Sequence, residues 1–517
     1  MIKFIICSLF MVVALAIPLE VQAGGIWRPL GDMSFFGGMS EGVRLPRTTE
    51  QMLIDQGNRR NRNDDIILRY SELVFLTGRP VRFDGTLEID TNATLDMTPG
   101  NAATFNLTHT IEPSAATGDE VEIWREVTFT VDYNVAGSQV IFNYNAQRDN
   151  WEETILVDGV EFVLDPDVSH FNISIFEDRT PGVAYYRGDV SARLVYIRDG
   201  EDTVVKEIVG SFHGYRSVWS TTETHRLDIS IDAGDWQMQY QIRPSLIQNK
   251  VLQFIHNEPT VISFEGNFRE VLQTYTGLRY TIFTAPNFMW DVPREGVAHL
   301  ETHNIFEQLP APDLTFLRGN AAEDDIRRLF STQILQGDPR FFQPSHAITR
   351  GQFVTAVTRA IRLPIEPVAP ARGRRVQVDT AVFHDVPMHR PEFPYIMAAY
   401  RAGLAVGRAN SMFYFDYPID RQEAFMIMIR ALGLTQMGLN PTPVTPFADD
   451  ALIASWARRE VTVAHMIGLA VPDDMGFFHP TRQLSMGEAA NIINELVEYM
   501  RVGLISDYVD QIVNIAR

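Results

Sequence analysis

The hydrophobic pattern of this 517-residue chain changes near residue 310, and the change divides the chain into two regions of different fold class. From about 65 to 290, short runs alternate apolar and polar residues, as at 127–131, 171–175 and 227–231. Such alternation is typical of half-buried β-strands. We predict an antiparallel all-β domain of about ten strands, folded as a sandwich or a barrel.

Asp-Gly pairs lie between several of these runs, at 84–85, 158–159 and 199–200. Both residue types tolerate the positive φ of tight hairpin turns, and segment 155–162 gives the clearest hairpin pattern. None of the pairs has the spaced Asp/Asn pattern of a calcium-binding loop. We therefore interpret them as turns and predict no metal site.

Beyond residue 310 the apolar spacing becomes helical, and it predicts helices over 325–332, 391–402 and 451–467. Gly403 and Gly468 follow the second and third of these helices as C-terminal caps. Proline-rich spacers at 364–370 and 441–446 divide the region into units of about 65–70 residues, which indicates a repeat array.

The units share an ordered set of short landmarks. The first unit has 334–337, 342–344 and 349–353; the second has 383–386, 403–407 and 420–424; the third has 447–449, 468–471, 478–480 and 485–489. The last landmark of each unit pairs a good N-cap residue with Gln or Glu three positions later: Thr349 with Gln352, Asp420 with Glu423, and Ser485 with Glu488. This is the pattern of a capping box, so each motif is predicted to begin a helix.

Arg350 and Arg421 directly follow their cap residues, at the first helical position. Free amides and the positive end of the helix dipole favour anions there. A guanidinium would add charge-assisted hydrogen bonds of about 1.5–3 kcal/mol each. Met486 takes this position in the third unit, where Arg482 is a possible substitute. The alternative is that these arginines are solvated and simply begin a helix.

These landmarks resemble the S-layer homology (SLH) family over roughly 315–501. The resemblance implies three repeats packed as an α-helical pseudo-trimer. It also implies grooves that bind secondary cell-wall polysaccharide, often through a pyruvylated sugar, or another peptidoglycan-linked polymer, with Arg350, Arg421 and Arg482 as candidate contacts. Three departures leave two competent grooves at most: Gln352 replaces Glu, Met486 replaces Arg, and the first repeat lacks a Phe-x-Asp opening. Tyr395, Tyr414 and Trp456 are either core residues or sugar-stacking residues.

The N-terminus has the pattern of a secretory signal peptide. Lys3 precedes an apolar run at 4–17, and 21–23 offers a small-residue cleavage site; the run is short for a membrane span. Cys7, the only cysteine, lies in this segment, so no disulfide is expected after cleavage. We predict a signal peptide (1–23), an extended lead-in (24–62), a β-rich domain (63–310), SLH repeats at 311–363, 383–440 and 441–505, and a linker at 364–382.

Charge and missing motifs limit the functions to consider. Residues from 311 onward carry 22 acidic and 20 basic side chains, so 19 of the 21 net negative charges lie in residues 1–310. An acidic region of this kind disfavours nucleic acid as a partner. No catalytic motif or cofactor-binding motif is present, and no cofactor is expected.

Two functions remain open at the level of sequence. The first is an exported bacterial surface protein, anchored non-covalently to the wall, which displays a structural or S-layer-associated β domain and self-associates in a surface layer. The second is a wall-anchored carbohydrate-active or other hydrolytic enzyme with its active site in the β domain. An outer-membrane barrel is disfavoured, because the strands carry charges on both faces.

Overall fold

The computed structural model describes residues 36–42, 45, 66–90, 100–114, 121–256, 267–286, 293–365, 382–407, 411–438 and 444–508. The predicted signal peptide (1–23), most of the lead-in (24–62) and most of the linker (364–382) lie outside these residues.

The described part of the β region forms one antiparallel sheet of fifteen strands. The strands are β1 (Met39–Ser40), β2 (Ile66–Val74), β3 (Val81–Asp90), β4 (Ala102–Pro113), β5 (Val121–Ala136), β6 (Gln139–Val157), β7 (Val160–Leu164), β8 (His170–Arg179), β9 (Val183–Arg198), β10 (Asp202–Ser217), β11 (Ser220–Asp232), β12 (Gln237–Ile255), β13 (Asn267–Thr284), β14 (Glu295–His299) and β15 (Ile305–Gln308). Consecutive strands are neighbours almost throughout. The exceptions are that β7 and β8 both pair with β6 and β9, and that β14 and β15 both pair with β13. The prediction of an antiparallel all-β domain is confirmed, with more strands than expected.

One face of the sheet is buried along nearly its whole width. In β5, buried and exposed residues alternate from end to end, because successive side chains point to opposite faces of a strand. The sheet curls so that its early and late strands share one apolar core: Phe75, just after β2, stacks on Tyr240 of β12 with ring centroids 4.1 Å apart. The segment 36–42 bridges these strands, because Met39 pairs with Ser71 and the Glu41 carbonyl accepts a hydrogen bond from Gln248.

Two of the three Asp-Gly pairs form turns. Asp158-Gly159 connects β6 to β7 and Asp199-Gly200 connects β9 to β10, with positive φ at all four residues. The prediction of a turn at 84–85 is wrong, since both residues lie within β3. A Cβ on Gly85 would lie 2.2 Å from the Glu112 carbonyl oxygen on β4. The glycine therefore permits close strand packing.

The helical region follows the sheet. Its helices are α1 (Glu323–Ser331), α2 (Arg350–Ala360), α3 (Phe393–Arg401), α4 (Arg421–Leu432), α5 (Arg458–Met466), α6 (Met486–Glu498) and α7 (Leu504–Asp507), with a π-helical turn at Tyr499–Gly503 and 3₁₀ turns at Thr315–Leu317, Pro339–Phe341, Leu434–Met437 and Asp450–Leu452. Gly403 and Gly468 adopt positive φ where helices end, as a C-terminal cap requires. The helix predicted over 451–467 begins only at Arg458, because a 3₁₀ turn precedes it.

In the part of the chain that the structure describes, no helix has the length and apolar character needed to cross a membrane.

Candidate functional site

A ring of three backbone hydrogen bonds joins the repeats just before the motif helices α2, α4 and α6. The Ile348 amide donates to the Leu484 carbonyl (3.0 Å), the Leu484 amide to the Ile419 carbonyl (3.1 Å), and the Ile419 amide to the Ile348 carbonyl (3.2 Å). Each of these residues directly precedes a cap residue. The three motif helices therefore begin around one pseudo-threefold axis.

The cap side chains hold the first turn of each motif helix. Each cap oxygen accepts a hydrogen bond from the amide three residues later: Thr349 from Gln352 (3.2 Å), Asp420 from Glu423 (2.9 Å), and Ser485 from Glu488 (3.2 Å). The reciprocal bonds, from the cap amide to the Gln352 and Glu488 side chains, are 3.0 Å long. The capping boxes at Thr349 and Ser485 thus have both of their bonds.

The first two amides of each motif helix, directly after the cap residue, donate to carbonyls of a neighbouring repeat. Arg350 and Gly351 donate to Tyr417 and Phe415, Arg421 and Gln422 donate to Arg482 and Pro480, and Met486 and Gly487 donate to His346 and Pro344, all within 2.7–3.0 Å. The expectation that these amides are free to hold an anion is wrong, because the loop of the neighbouring repeat uses them. Any anion at these helices must be held by side chains.

Arg350 lies inside the protein rather than in an open groove. Its side chain is 2% exposed, its Nε donates to Glu423 at 2.7 Å, and its Nη2 donates to the Val406 carbonyl at 2.8 Å. The guanidinium also stacks on the Phe413 ring, 4.0 Å from the centroid, and donates to the Phe413 carbonyl. The sequence predicts a ligand contact here, whereas in the structure protein groups already surround this guanidinium and it joins the first two motif helices.

Arg421 has the equivalent helical position but a different environment. Among the residues that the structure describes, no hydrogen bond or ion pair reaches its half-buried guanidinium, and its buried Nε has no partner. The group lies over the rings of Phe425 and Phe478, 5.1 and 5.2 Å from their centroids. Burial, followed by the nearby charge of Arg482, lowers the pKa of Arg421. A bound anion would offset both effects.

Arg482 lies beside Arg421 at the junction of the second and third repeats. Its exposed side chain forms an ion pair with Glu488, the group equivalent to the Glu423 that Arg350 binds. Burial alone would raise the pKa of Glu488, but the Ser485 amide and Arg482 hold it below its usual value. Because the Glu488 carboxylate pairs with Arg482, it forms no ion pair with Arg421. We call Arg421, Arg482 and Glu488 the second groove.

A surface cavity of about 420 Å³ adjoins Arg482. Its lining combines polar and apolar groups: Asp449, Leu452, Phe477, His479, Pro480, Thr481 and Arg482. Asp449 fixes the wall of this cavity, because its carboxylate accepts hydrogen bonds from the Phe478 and His479 amides at 2.9 and 2.7 Å. Asp385 makes the same pair of bonds with Phe413 and Tyr414 in the second repeat.

Apart from Arg482, the cavity residues are absent from the sequence-based site, although the Phe-x-Asp landmark could have indicated Asp449. Its recurrence at 383–385 and 447–449 shows that each aspartate has an equivalent role. What the sequence does not show is that each aspartate holds the loop ahead of the next motif helix, which in the third repeat carries the Phe-x-Pro landmark at 478–480.

The other predicted residues differ in placement. Met486 lies at the junction of the third and first repeats, half-buried and without charge. Tyr395 is buried beneath Arg359 and belongs to the core. Tyr414 packs edge-on against Tyr417, and Trp456 is half-exposed. The structure therefore brings Arg421 and Arg482 together and separates Arg350 from them.

Comparison with known families agrees with this geometry. The family model described as the S-layer homology domain matches residues 318–354 and 382–425. The helical region contains S-layer homology domains. These domains bind cell-wall polymers, which indicates association of the chain with the cell surface. No family model matches the β region.

Several curated proteins are similar to part of the chain. An amylopullulanase of Thermoanaerobacterium thermosulfurigenes is 29% identical over 39% of this chain and 10% of its own length. An endoglucanase of Bacillus sp. (strain KSM-635) is 25% identical over 33% of this chain and 17% of its own length. An S-layer protein of Bacillus thuringiensis subsp. finitimus is 25% identical over 33% of this chain and 19% of its own length. The matches thus cover less than a fifth of each relative.

Proposed function

We propose that this protein is exported and held non-covalently at a bacterial cell wall, with the second groove as its principal polymer-binding site. The observation that carries the proposal is the half-buried guanidinium of Arg421, which makes no hydrogen bond or ion pair among the described residues. The predicted signal peptide at 1–23 supports export, and the S-layer homology match supports attachment to the wall.

The chemistry of the second groove favours an acidic polysaccharide. A carboxylate or phosphate on the polymer would bind Arg421 and Arg482 through forked hydrogen bonds, which guanidinium groups form well. The adjoining cavity offers Leu452 and Phe477 as apolar surfaces for a sugar ring. We therefore propose secondary cell-wall polysaccharide, with a pyruvylated sugar as one source of the carboxylate, as the ligand class.

For the β region we propose a structural or display role. The most deeply buried carboxylates described there are paired internally: Arg125 donates to Glu72 at 3.0 Å and to Glu153 at 2.7 Å, and all three side chains are buried. Groups held in this way are unsuited to act on a bulky glycan. The similarity to an S-layer protein also supports this role, together with self-association in a layer.

A wall-held hydrolase is the second candidate, because two of the similar proteins are an amylopullulanase and an endoglucanase. Incubating the purified chain with starch, pullulan, cellulose and wall glycan, followed by measurement of reducing ends, separates the candidates. Release of reducing sugar would favour the enzyme, and the display role predicts none.

Wall binding is tested with the full chain and purified cell walls. Arg421→Ala and Arg482→Ala should each weaken co-sedimentation by about 10- to 100-fold, the equivalent of losing about 1.5–3 kcal/mol of charge-assisted hydrogen bonding. Arg340→Ala is the matched control, since Arg340 is 70% exposed and pairs with Asp338 outside the second groove. Wild-type binding by a folded Arg421→Ala variant would refute the assignment of this groove.

A further inference from the structure

The last carbonyls of the three motif helices receive hydrogen bonds from the β region. Trp219 Nε1 donates to Ala360 of α2 (2.7 Å), Gly182 N to Ala431 of α4 (2.8 Å), Tyr185 OH to Leu432 of α4 (3.0 Å), and Ser220 Oγ to Met500 beyond α6 (2.5 Å). The final carbonyls of a helix have no partner within it, and a buried helix end needs one from elsewhere. Here the β8–β9 and β10–β11 turns, with the adjoining ends of β9 and β11, supply the partners.

Apolar side chains of these turns and the adjoining strand ends complete the core of the helical region. Val183, Tyr215, Val218 and Trp219 pack with the helices, whereas most buried β residues form a separate core. Trp219 is fully buried. In return, Tyr508 from the helical region donates a hydrogen bond to the Gly214 carbonyl at 2.9 Å. The two regions therefore exchange both apolar and polar contacts.

The backbones approach closely at this interface. A Cβ on Gly182 would lie 2.7 Å from the Ala431 carbonyl oxygen, and a Cβ on Gly433 would lie 2.0 Å from Thr180 Cγ2. Such spacing leaves no room for the regions to shift against each other without loss of contact.

Charged groups surround the buried indole of Trp219. Lys250 pairs with Glu270 at 2.6 Å, and Arg362, just beyond α2, approaches the same carboxylate at 3.5 Å. Both cations lie against the Trp219 ring, 5.8 and 5.0 Å from its centroid. Arg362 also suits the negative end of the α2 dipole.

We infer that the β region is a structural part of the anchor, closing the end of the helical bundle opposite the grooves and forming one rigid body with it. Each motif helix begins at the ring of repeats and ends at the β region, and an eleven-residue helix such as α2 spans about 17 Å. If the proposed wall binding holds, the attached protein displays its β region away from the wall in a fixed orientation.

Hydrogen exchange of the full chain tests the interface. Trp219→Ala should raise amide exchange at the C-terminal turns of α2, α4 and α6 at least tenfold. The matched control is Trp151→Ala, which removes an indole buried within the β core and should leave those turns protected. Unchanged protection of the three turns in Trp219→Ala, or an equal effect of Trp151→Ala, would overturn the inference.

If Trp219→Ala does not fold, Trp219→Phe removes the hydrogen bond to Ala360 and keeps most of the apolar contact. In the Trp219→Phe variant, amide exchange should increase most at the C-terminal turn of α2. An unchanged α2 end in this folded variant would contradict the role assigned to Trp219.

Distances between spin labels test whether the β region and the helical region form one rigid body. The measurement needs no wall polymer, so its result is independent of the proposed binding at the second groove. In the full chain with Cys7→Ser, labels at the exposed positions of Ser191→Cys and Ser345→Cys report across the interface. Labels at Ser191→Cys and Thr203→Cys, both in the β region, give the reference width. A distance distribution as narrow as the reference supports one rigid body, and a broad one contradicts it.

Discussion

Arg350 and Arg421 show how much the role of a residue depends on its immediate neighbours. Both follow a cap residue at the start of a motif helix, yet Arg350 binds Glu423 while Arg421 has lost the equivalent carboxylate to Arg482. Arg350 thus stabilises the junction of the first two repeats. Arg421 makes no hydrogen bond or ion pair among the described residues, so its guanidinium can bind an anionic ligand.

This difference predicts that replacing each arginine by alanine has a different effect on stability. Arg350→Ala leaves Glu423 buried without its ion-pair partner Arg350, and it should lower the free energy of unfolding by about 3–5 kcal/mol. For a chain of this length, that loss corresponds to a melting temperature lower by roughly 3–5 °C. Arg421→Ala, the matched control, should change the melting temperature little. Equal melting of the two variants by circular dichroism would contradict the assigned roles.

At the scale of elements, the motif helices depend on their caps and on the neighbouring repeat. The cap satisfies the third amide of each helix, and a loop of another repeat satisfies the first two. Helix starts and groove walls are therefore built from the same contacts. A substitution of one cap residue should therefore destabilise mainly the junction between repeats at which that helix begins.

Ser485 offers a graded test of this dependence. Ser485→Ala removes the hydrogen bond to the Glu488 amide and should cost about 0.5–2 kcal/mol, whereas Ser485→Gly should cost only a few tenths. Urea unfolding gives the free energies, and exchange at the Glu488 amide reports the cap itself. A glycine variant less stable than the alanine variant would show that the hydroxyl is not acting as a cap.

At the scale of the whole molecule, buried ionisable groups couple the fold to pH. His109 faces the β core, where burial and then the charge of Arg125 lower its pKa to about 4 from an ordinary 6.5. The unfolded chain therefore binds one more proton than the folded chain between these values. Stability from this group is complete above pH 6.5 and is lost as pH falls toward 4.

His109→Gln should reduce this acid sensitivity. The difference in unfolding free energy between the wild type and the variant should change by about 3 kcal/mol between pH 7 and pH 4. The difference removes the contribution of carboxylates common to both proteins. Urea titrations at several pH values provide the measurement, and parallel pH profiles would show that the pKa of His109 is the same in the folded and the unfolded chain.

The sequence alone determined the features that depend on local periodicity and spacing. Alternating residues predicted the β region, helical spacing and capping pairs predicted the motif helices, and the recurring landmarks predicted S-layer homology repeats. Each of these signals is local, because strand faces, helix faces and caps are set by residues two to four positions apart.

Tertiary structure alone decided which groups are available to a ligand and how the two regions meet. Arg350 and Glu423 are 73 positions apart, and Trp219 and Ala360 are 141 apart. Asp84-Gly85 has the composition of a turn but lies in a strand, because both residues pair with β2 and Gly85 also pairs with β4. Burial and pairing depend on such distant neighbours, and no spacing within a motif specifies them.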